Sequence, residues 1–390
     1  MATKNPETAA LFYVPYLPSV EYHNGSLYAK SYKTSTFGQA LIDATNGNYS
    51  NWETTFGLTS RYWQRSNGSD HVLVFSEPLH GLSHPRSRRG NYHFIHTQRQ
   101  TTPPIILSIE LSTTFVSMYP NCTRKNILLP YPNTDGRWFN GKFQEKKLSY
   151  NVTTSKAVLV EEKALFAEDY TQQRPLAQFY GAGHHGTCKD LRKALSQNYK
   201  CTSSAHLSKG LPFMYGYHKA TFCPCPGGDS PSAKRNFDAL HAGCIPVTLS
   251  SDFVWPFTQE VGMSKNPLEF SIRLDATNYQ TALFDHNCVA LSPINATNNL
   301  QSYFETISKR KIRMLRHGAN IASDQYAYYK RSKDLPDNPL RDGVMPNGGA
   351  AFALVEALGE RANGKLSAAC QQEAREKKPM ILDKTRHFKC

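Results

Sequence analysis

The chain has 390 residues, of which 39% are hydrophobic and 12% aromatic, so the composition excludes a disordered protein and predicts more than one hydrophobic core. The 45 Lys and Arg outnumber the 31 Asp and Glu, and the formal net charge of +14 favours anionic partners: nucleic acid, acidic glycan, nucleotide phosphate or a membrane surface. No apolar run approaches the roughly 20 residues of a membrane helix, and the N-terminal stretch lacks the apolar core of a signal peptide.

The cellular compartment is weakly indicated. Without a leader, the chain by itself predicts a soluble cytosolic protein. Nine cysteines without a Cys-x-x-Cys pair, and six N-x-Ser/Thr sites where about three or four are expected by chance, shift the expectation slightly towards the secretory pathway. An odd cysteine count leaves at least one thiol unpaired. The six sites are at Asn24, Asn48, Asn67, Asn121, Asn151 and Asn295.

The N-terminal half alternates apolar runs with polar or helical stretches. The first predicted strand is LFYVPY at residues 11–16, and a helix-like stretch follows near residues 36–44. Three further near-continuous apolar runs, at residues 71–76, 104–110 and 126–132, are typical of buried parallel strands. This alternation predicts an α/β sheet with crossover connections.

The domain boundaries follow from a change in composition. Residues 133–154 are polar and rich in turn formers, which indicates an exit from the first domain. We expect an N-terminal domain over residues 1–155, a second domain over residues 156–320 and a helical C-terminal extension over residues 321–390.

The second predicted domain opens with a recognisable local pattern. LAQFY (176–180) predicts a strand, GAGHHG (181–186) a glycine-rich turn and KDLRKAL (189–195) a helix, an order typical of doubly wound folds. Further predicted elements are a strand at residues 245–250 and helices at residues 300–317 and 350–362.

Residues 222–247 read FCPCPGGDSPSAKRNFDALHAGCIPV, a proline- and glycine-rich turn followed by a short basic helix and an apolar strand. Ser230 is a good N-cap, and Pro231 suits the first helical position. Gly243 is placed to end the helix in the left-handed conformation. The pattern therefore predicts a helix over residues 232–241 that begins directly after a stiff turn.

This turn and helix form a candidate anion site. Gly227 and Gly228 allow a ligand to approach the backbone, and the N–H of Ser232 lies at the positive end of the helix dipole. Arg235 is placed to hold a diphosphate with two hydrogen bonds, and Asp238 to accept bonds from sugar hydroxyls. An ordinary capped helix with a solvated Arg235–Asp238 pair explains the same residues equally well. A P-loop is excluded, because its second glycine and its magnesium-binding hydroxyl are both absent.

Residues 222–257 resemble the signature of exostosin-type glycosyltransferases. That signature runs Phe-Cys-Leu, a short turn, Gly-Asp-Ser/Thr-Pro-Ser, two residues, Arg, Phe-Asp-Ala, Gly-Cys-Ile-Pro-Val and a terminal Leu-Pro-Phe. Weaker similarities are carried by ALFYVPY, YWQRSNGSDHVLVFS, NILLPYP, FYGAG and GGAAFALVEAL. The resemblance implies a GT-B fold, in which two Rossmann-like domains face each other across a cleft and the C-terminal one holds the nucleotide-sugar.

The resemblance also implies an activity: transfer of a sugar from a UDP-sugar to a glycan or glycoprotein acceptor, with inversion and without an obligatory metal or other cofactor. The chain has no Asp-x-Asp pair, and the His-rich stretch at residues 80–100 lacks Cys or carboxylate at zinc-ligand spacing. We therefore expect the helix N-terminus and Arg235 to stabilise the leaving diphosphate. Cys223 occupies the family's cysteine position and is expected to pack or to join a disulfide.

The donor-site roles implied by the resemblance assign the diphosphate to Gly228, Ser230, Ser232 and Arg235, the ribose to Asp238, and the second loop of the pocket to Gly181 and Gly183. An inverting transfer also needs a general base beside the acceptor hydroxyl. We expect Asp70 and His71, at the start of the strand HVLVFS, to supply it. A structural Asp–His pair that caps this strand is the alternative.

The chain departs from the family pattern at its N-terminus. The membrane anchor and stem usual in the family, and a first strand of the Val-Tyr-Val-Tyr-Asp-Leu-Pro type, are expected to be missing. The resemblance implies the Golgi lumen, a UDP-sugar and a glycan or glycoprotein as partners, and a homo- or heterodimer with another glycosyltransferase. One alternative is a non-catalytic scaffold subunit that binds glycan or nucleotide-sugar. A nucleic-acid binder is not expected, because no fold motif for one is present.

Overall fold

The computed structural model of the chain is a mixed α/β protein with two parallel sheets. It describes residues 5–14, 40, 43–44, 47–57, 59–75, 104–111, 116–117, 119–131, 177, 179, 192, 195, 217, 220–228, 232–250, 253–274, 300–328, 349–362 and 364–376.

The described strands are two to five residues long, and the three longest described helices lie towards the end of the chain. The strands are β1 (Phe12–Tyr13), β2 (His71–Phe75), β3 (Ile105–Ser108), β4 (Ile127–Leu128), β5 (Phe222–Cys225), β6 (Ile245–Thr248) and β7 (Ile272–Arg273). The α-helices are α1 (Trp52–Phe56), α2 (Arg61–Ser66), α3 (Pro120–Lys125), α4 (Lys234–His241), α5 (Leu300–Glu305), α6 (Lys309–Tyr326), α7 (Gly349–Arg361) and α8 (Gly364–Glu376). Single 3-10 turns cover Pro6–Thr8, Gln259–Val261 and Pro267–Glu269.

The chain divides into two compact units. The terminal unit comprises Met1–Pro130, Asp252–Asn266 and Phe352–Phe388, so it is assembled from three separate stretches of chain. The central unit comprises Tyr131–Ser251, Pro267–Ala351 and Lys389–Cys390. The predicted domain boundaries and the GT-B arrangement stay predictions.

The terminal unit contains a parallel sheet in the order β1-β2-β3-β4. These strands coincide with the four apolar runs of the N-terminal half, which confirms the predicted parallel α/β character. β3 has the pattern of an interior strand, since Ser108 pairs with Phe75 of β2 and with Leu128 of β4. The core beside this sheet includes Trp52, Trp63, Leu73, Ile106, Leu111, Tyr119, Leu128, Val254, Val261 and Cys370.

The central unit contains a second parallel sheet, in the order β5-β6-β7, and Ala177 forms a parallel bridge with Phe222 of β5. Alternate residues of β5 and β6 point to opposite faces. One face packs against Phe304 and Leu315 of α5 and α6, and the other faces Ala239 of α4. This helix–sheet–helix layering is consistent with a Rossmann-like unit.

The chain between Phe222 and Ser250 forms a β5–α4–β6 crossover. α4 ends in a Schellman motif: the N–H of Gly243 donates to the Leu240 carbonyl and the N–H of Cys244 donates to the Ala239 carbonyl, both at 3.0 Å. Gly243 has φ +75°, as predicted for a left-handed cap. The chain then enters β6 directly, which fixes both ends of the crossover.

Two disulfides join distant parts of the described chain. Cys122 of α3 is bonded to Cys370 of α8 over a sequence separation of 248, and Cys223 of β5 is bonded to Cys244 over a separation of 21. The second bond confirms the expectation that Cys223 packs or joins a disulfide. Among the described residues, no helix is both long enough and apolar enough to cross a membrane.

Several local predictions were wrong in detail. The stretch FCPC, predicted as part of a stiff turn, is the fully buried strand β5. The helix predicted over residues 300–317 is interrupted, because the side chain of Ser308 accepts a hydrogen bond from the N–H of Lys311 and starts a new helix, α6. Helices α1, α2 and α3 were not predicted, because each is only five or six residues long and propensity alone does not support helices of that length. Helix α8 lies in the predicted helical extension, but its bounds were not predicted.

Candidate functional site

The candidate site is built at the carboxyl ends of β5 and β6, where ligands of open parallel sheets bind. β5 ends at Cys225, the chain continues through Pro226–Gly228, and α4 begins at Lys234. Because β5 and β6 are parallel and α4 connects them, the N-terminus of α4 lies at this edge of the sheet. The sequence-predicted residues Gly228, Ser232, Arg235 and Asp238 are therefore brought to one edge of the central unit.

The start of α4 differs from the prediction. The sequence indicated Ser230 as N-cap and a helix from residue 232, whereas the helix begins at Lys234 and its N-cap is Ala233, with extended φ of −148°. Both the N–H and the side-chain Nδ2 of Asn236 donate to the Ala233 carbonyl, at 3.0 and 3.1 Å, and these bonds secure the later start. An alanine has no side-chain acceptor with which to cap the amides of the first turn.

Gly228 has room for a larger side chain. A Cβ built at this position would lie 3.5 Å from the Ser232 carbonyl oxygen and 3.7 Å from the Ala233 Cβ, which are ordinary contacts. Gly228 is also not one of the described glycines with a positive φ, so its backbone is not in the left-handed region. Among the described residues, no contact therefore requires a glycine here, and the role of Gly228 beside a diphosphate stays a prediction.

Ser232 is buried and faces a tyrosine that was not predicted. The Oγ of Ser232 lies 3.0 Å from the Oη of Tyr131, and the Tyr131 ring lies 5.7 Å from the ring of Phe237 in α4. The sequence pattern treated Tyr131 as the end of a strand, and nothing local marks it as a neighbour of residue 232. Tyr131 thus contacts both Ser232, just before α4, and Phe237 within it.

Arg235 has an unmet hydrogen-bonding need. Its guanidinium carbon lies 5.4 Å above the centre of the Phe179 ring. Its Nη1 is buried, and within the part of the chain that the structure describes it has no hydrogen-bond partner. A buried donor left unpaired costs about 1–3 kcal/mol, so a group that accepts from Arg235 is favoured at this position.

Asp238 is paired with Lys234 and not with Arg235, its partner in the alternative interpretation. Its Oδ1 lies 2.5 Å from the Nζ of Lys234, an i,i+4 neighbour, and the side chain of Asp238 is buried. The alternative of a solvated Arg235–Asp238 pair is therefore wrong. Arg235 remains available to a ligand because Lys234 neutralises the carboxylate.

Two further buried polar atoms of this unit were not predicted from the sequence. The Oδ1 of Asn236 and the Oγ1 of Thr248 are buried and have no hydrogen-bond partner in the described part of the chain. Thr248 pairs with Cys225, and Cys225 faces α4, so Thr248 lies on the same side of the sheet as Asn236. In the sequence, both residues are polar and lie at positions whose neighbours on the same face are apolar. This pattern could have identified them as candidate site residues.

Cys225 is the free cysteine of the described residues and lies beside the site. Its Sγ donates to the Cys223 carbonyl at 3.1 Å and to the Arg235 carbonyl at 3.7 Å. Burial raises the pKa of this thiol to about 12, although the nearby charge of Arg235 opposes the shift. The thiol is therefore protonated at neutral pH and is not a nucleophile.

The remaining predicted donor residues, Gly181, Gly183 and Ser230, lie outside the described residues. The stretch at residues 80–100 also lies outside them. Among the residues that are described, no group of three or more His, Cys, Asp or Glu side chains is arranged to hold a metal ion.

Asp70 and His71 lie at the amino end of β2, in the terminal unit. The carboxylate of Asp70 accepts hydrogen bonds from Ser66 and from Nδ1 of His71 (2.7 Å), and its Oδ2 lies 3.5 Å from Arg65. Burial alone would raise the pKa of Asp70, but these hydrogen bonds and the nearby charge of His71 outweigh it and lower the pKa. His71 is buried and packs between the rings of Phe12 and Trp63, at 5.0 and 4.7 Å.

A buried lysine completes this group at the amino edge. The Nζ of Lys125, just before β4, donates to the Ser69 carbonyl at 3.3 Å. Burial lowers the pKa of Lys125 to about 7, against the opposing effect of the Asp70 charge. The contacts of Asp70 and His71 are those of the structural alternative, a pair that caps β2, and their role as a catalytic base stays a prediction.

Comparison with known proteins supplies the family. The model of the Exostosin GT47 domain matches residues 1–284. The chain is 24% identical over 261 residues to the probable beta-1,4-xylosyltransferase IRX10L of Arabidopsis thaliana, covering 66% of this chain and 55% of that protein. It is 25% identical over 202 residues to the probable glucuronosyltransferase Os01g0926400 of Oryza sativa subsp. japonica, covering 51% and 43%.

A third relative is the probable glycosyltransferase At5g03795 of Arabidopsis thaliana, 24% identical over 291 residues, which cover 72% of this chain and 46% of that protein. The chain spans about half the length of the curated relatives it matches. The family model covers more than half of the chain and includes both described parallel sheets. The chain belongs to the exostosin GT47 family of glycosyltransferases.

Proposed function

We propose that the protein transfers a sugar from a UDP-sugar to a glycan or glycoprotein acceptor, with inversion at the anomeric carbon and without a metal ion. The observation that supports this most strongly is the buried, unpartnered Nη1 of Arg235 among the described residues, at the first turn of α4. A diphosphate supplies the acceptor oxygens that this donor lacks. The named xylosyl- and glucuronosyltransferases among the relatives indicate UDP-xylose and UDP-glucuronic acid as the first donors to test.

The proposed roles of the site residues follow from their positions. Gly228 lets the diphosphate approach the backbone, and Ser232, held by Tyr131, donates its hydroxyl to the same group. Arg235 stabilises the charge that develops on UDP as it leaves, the role a metal has in other transferases. Asp238, balanced by Lys234, accepts a hydrogen bond from the ribose.

The two disulfides among the described cysteines support an oxidising compartment and hence the Golgi lumen as the site of action. A dimer with a second copy or with another glycosyltransferase belongs to the same proposal.

A non-catalytic scaffold subunit that binds nucleotide-sugar or glycan is the second candidate. It uses the same donor site, so binding of UDP alone does not separate the two. They differ in turnover, which only the transferase predicts.

The decisive experiment is a panel of UDP-sugars, assayed for release of UDP with and without candidate glycans. The transferase proposal expects one donor to be consumed faster when a glycan is present, with a product of inverted anomeric configuration. Binding of UDP without turnover of any donor favours the scaffold. Absence of UDP binding to folded protein rejects both. Unchanged activity after EDTA treatment is expected, and loss of activity restored by a divalent ion would refute the metal-independent mechanism.

A further inference from the structure

Three of the N-x-Ser/Thr sequons, at Asn48, Asn67 and Asn121, lie among the described residues, and all three belong to the terminal unit. N-linked oligosaccharides are bulky and are attached to the side-chain Nδ2 of asparagines on the surface of secretory-pathway proteins. The burial of the three residues in each sequon therefore indicates which asparagines of the folded protein can carry a glycan.

The sequon at Asn48 lies in a turn that presents both of its polar residues to solvent. Asn48 and Ser50 are exposed, whereas Tyr49 between them packs against the core of the terminal unit. The N–H of Ser50 donates to the Oδ1 of Asn48 at 3.1 Å, which forms an Asx turn. This bond uses the side-chain oxygen and leaves Nδ2 without a hydrogen-bond partner in the described part of the chain.

The sequon at Asn67 has a similar arrangement, directly after α2. Asn67 is exposed and has the left-handed conformation, with φ of +51°, which asparagine adopts more readily than most residues. The middle residue again turns inwards, because a Cβ at Gly68 would lie 2.5 Å from Cζ2 of Trp63. Ser69 is half-buried. The side chain of Asn67 makes no hydrogen bond within the described residues, so its Nδ2 is also open to modification.

The sequon at Asn121 is arranged differently, because it lies within α3. Asn121 is half-buried, and Thr123, which bears the hydroxyl of the sequon, is only 1% exposed. The middle residue, Cys122, forms the disulfide that joins α3 to Cys370 of α8. A glycan on Asn121 would have to fit beside this buried junction, so we expect the disulfide-bonded protein to lack it.

We propose that Asn48 and Asn67 each carry an N-linked oligosaccharide and that Asn121 does not, an inference that rests on the lumenal location in the proposed function. The modification is made by the oligosaccharyltransferase of the secretory pathway. The asparagine Nδ2 forms a bond to the anomeric carbon of an oligosaccharide carried on a polyprenyl diphosphate, and Nδ2 loses a proton. The bond from that carbon to the diphosphate oxygen breaks, and its electron pair leaves with the diphosphate.

The test uses the full chain purified from the cells that produce it. After reduction, trypsin places the three sequons on separate peptides, residues 34–61, 66–86 and 100–124. Peptide N-glycosidase in heavy-oxygen water converts each glycosylated asparagine to an aspartate that carries heavy oxygen. We expect this label on the first two peptides and not on the third. The same incubation without the glycosidase is the control, because an Asn-Gly pair such as Asn67-Gly68 also deamidates spontaneously.

Serine substitutions test each site without altering the asparagine. Ser50→Ala and Ser69→Ala remove the hydroxyl that the sequon requires, so each variant is expected to lose one glycan and to migrate faster in electrophoresis. Ser50→Thr and Ser69→Thr retain a hydroxyl and are expected to keep the glycan. Asn51, exposed and outside any sequon, lies on the same peptide as Asn48, and Asn51→Gln is the matched control that is expected to leave the mobility unchanged.

The outcomes separate this inference from the proposed function. Disulfide-bonded protein without the label at Asn48 or at Asn67 overturns the assignment of that residue, and label at Asn121 overturns the argument from burial. Sugar transfer by a protein that carries no glycan overturns this inference and leaves the transferase proposal standing. A glycosylated protein that neither binds UDP nor transfers sugar supports the inference and refutes the proposed function.

Discussion

Arg235→Ala is expected to weaken UDP binding strongly. The Nη1 of Arg235 is buried and unpartnered within the described chain, and in the proposed complex it donates to the diphosphate. A hydrogen bond to a charged group contributes about 1.5–3 kcal/mol. Since 1.4 kcal/mol corresponds to a tenfold change in affinity, the variant is expected to raise the Kd for UDP by roughly 10- to 150-fold.

The same change is expected to affect the unliganded protein little. Losing the contact with Phe179 removes about 0.5–2 kcal/mol of cation–π stabilisation. Removing the unpaired buried donor stabilises the folded protein by about 1–3 kcal/mol. Because the two effects oppose each other, the Tm without ligand moves by only a few degrees, whereas the rise in Tm on adding UDP is largely lost.

Calorimetric titration with UDP and UMP measures the effect. Arg310, an exposed arginine on α6 of the same unit, provides the control through Arg310→Ala. Arg235→Lys keeps the charge but not the planar fork, so an intermediate Kd is expected. UDP is expected to lose more affinity than UMP, which lacks the second phosphate. The reasoning is refuted if Arg235→Ala and Arg310→Ala both bind UDP within about threefold of wild type.

Three further predictions concern stability. A Cβ at Gly318 would lie 2.1 Å from the Glu269 carbonyl oxygen, so Gly318→Ala is expected to lower the free energy of unfolding by at least about 1–3 kcal/mol. Gly359 has open space around it, so Gly359→Ala is expected to raise the free energy of unfolding by about 0.5–1 kcal/mol. Denaturant melts that rank the two variants the other way would contradict the packing. Cys122→Ser removes the disulfide to α8 and is expected to lower the free energy of unfolding by about 2–5 kcal/mol under oxidising conditions and not at all in excess reductant. An equal loss of stability under both conditions would contradict this prediction. Asp70→Asn is expected to lower Tm at pH 7. The folded-state pKa of Asp70 lies below its unfolded value, so the contribution of Asp70 to stability is present above about pH 4 and disappears as the pH falls. A difference in Tm between wild type and variant that does not narrow in acid would argue against the hydrogen-bonded carboxylate.

The fold could be predicted where local pattern and tertiary role agree. β2 and β3 are continuous apolar runs because both faces of a parallel strand are buried, and this signal survives in a single sequence. β5 was missed because Pro224 lowers its strand propensity, while pairing with β6 and the bridge from Ala177 determine its conformation. Helices of one turn depend on packing for their stability and leave little trace in the sequence.

The candidate site could be predicted only as far as a contiguous motif reaches. Arg235 and Asp238 were identified from their place in the motif, but the partner of Asp238 was not, because Lys234 and Arg235 are both within reach on a helix. Tyr131 lies 101 residues from Ser232 in the sequence, and no local pattern joins them.

The threading of the chain through its two units has a consequence for synthesis. The central unit ends at Ala351 apart from Lys389–Cys390, so nearly all of it leaves the ribosome before α8 of the terminal unit has been synthesised. The terminal unit must keep Cys122 reduced, or in a temporary bond, until Cys370 emerges 248 residues later. A fragment cut at residue 284, where the family model ends, would leave that thiol without its partner and expose the core that α8 covers. Closure of this disulfide therefore has to wait until α8 has been synthesised.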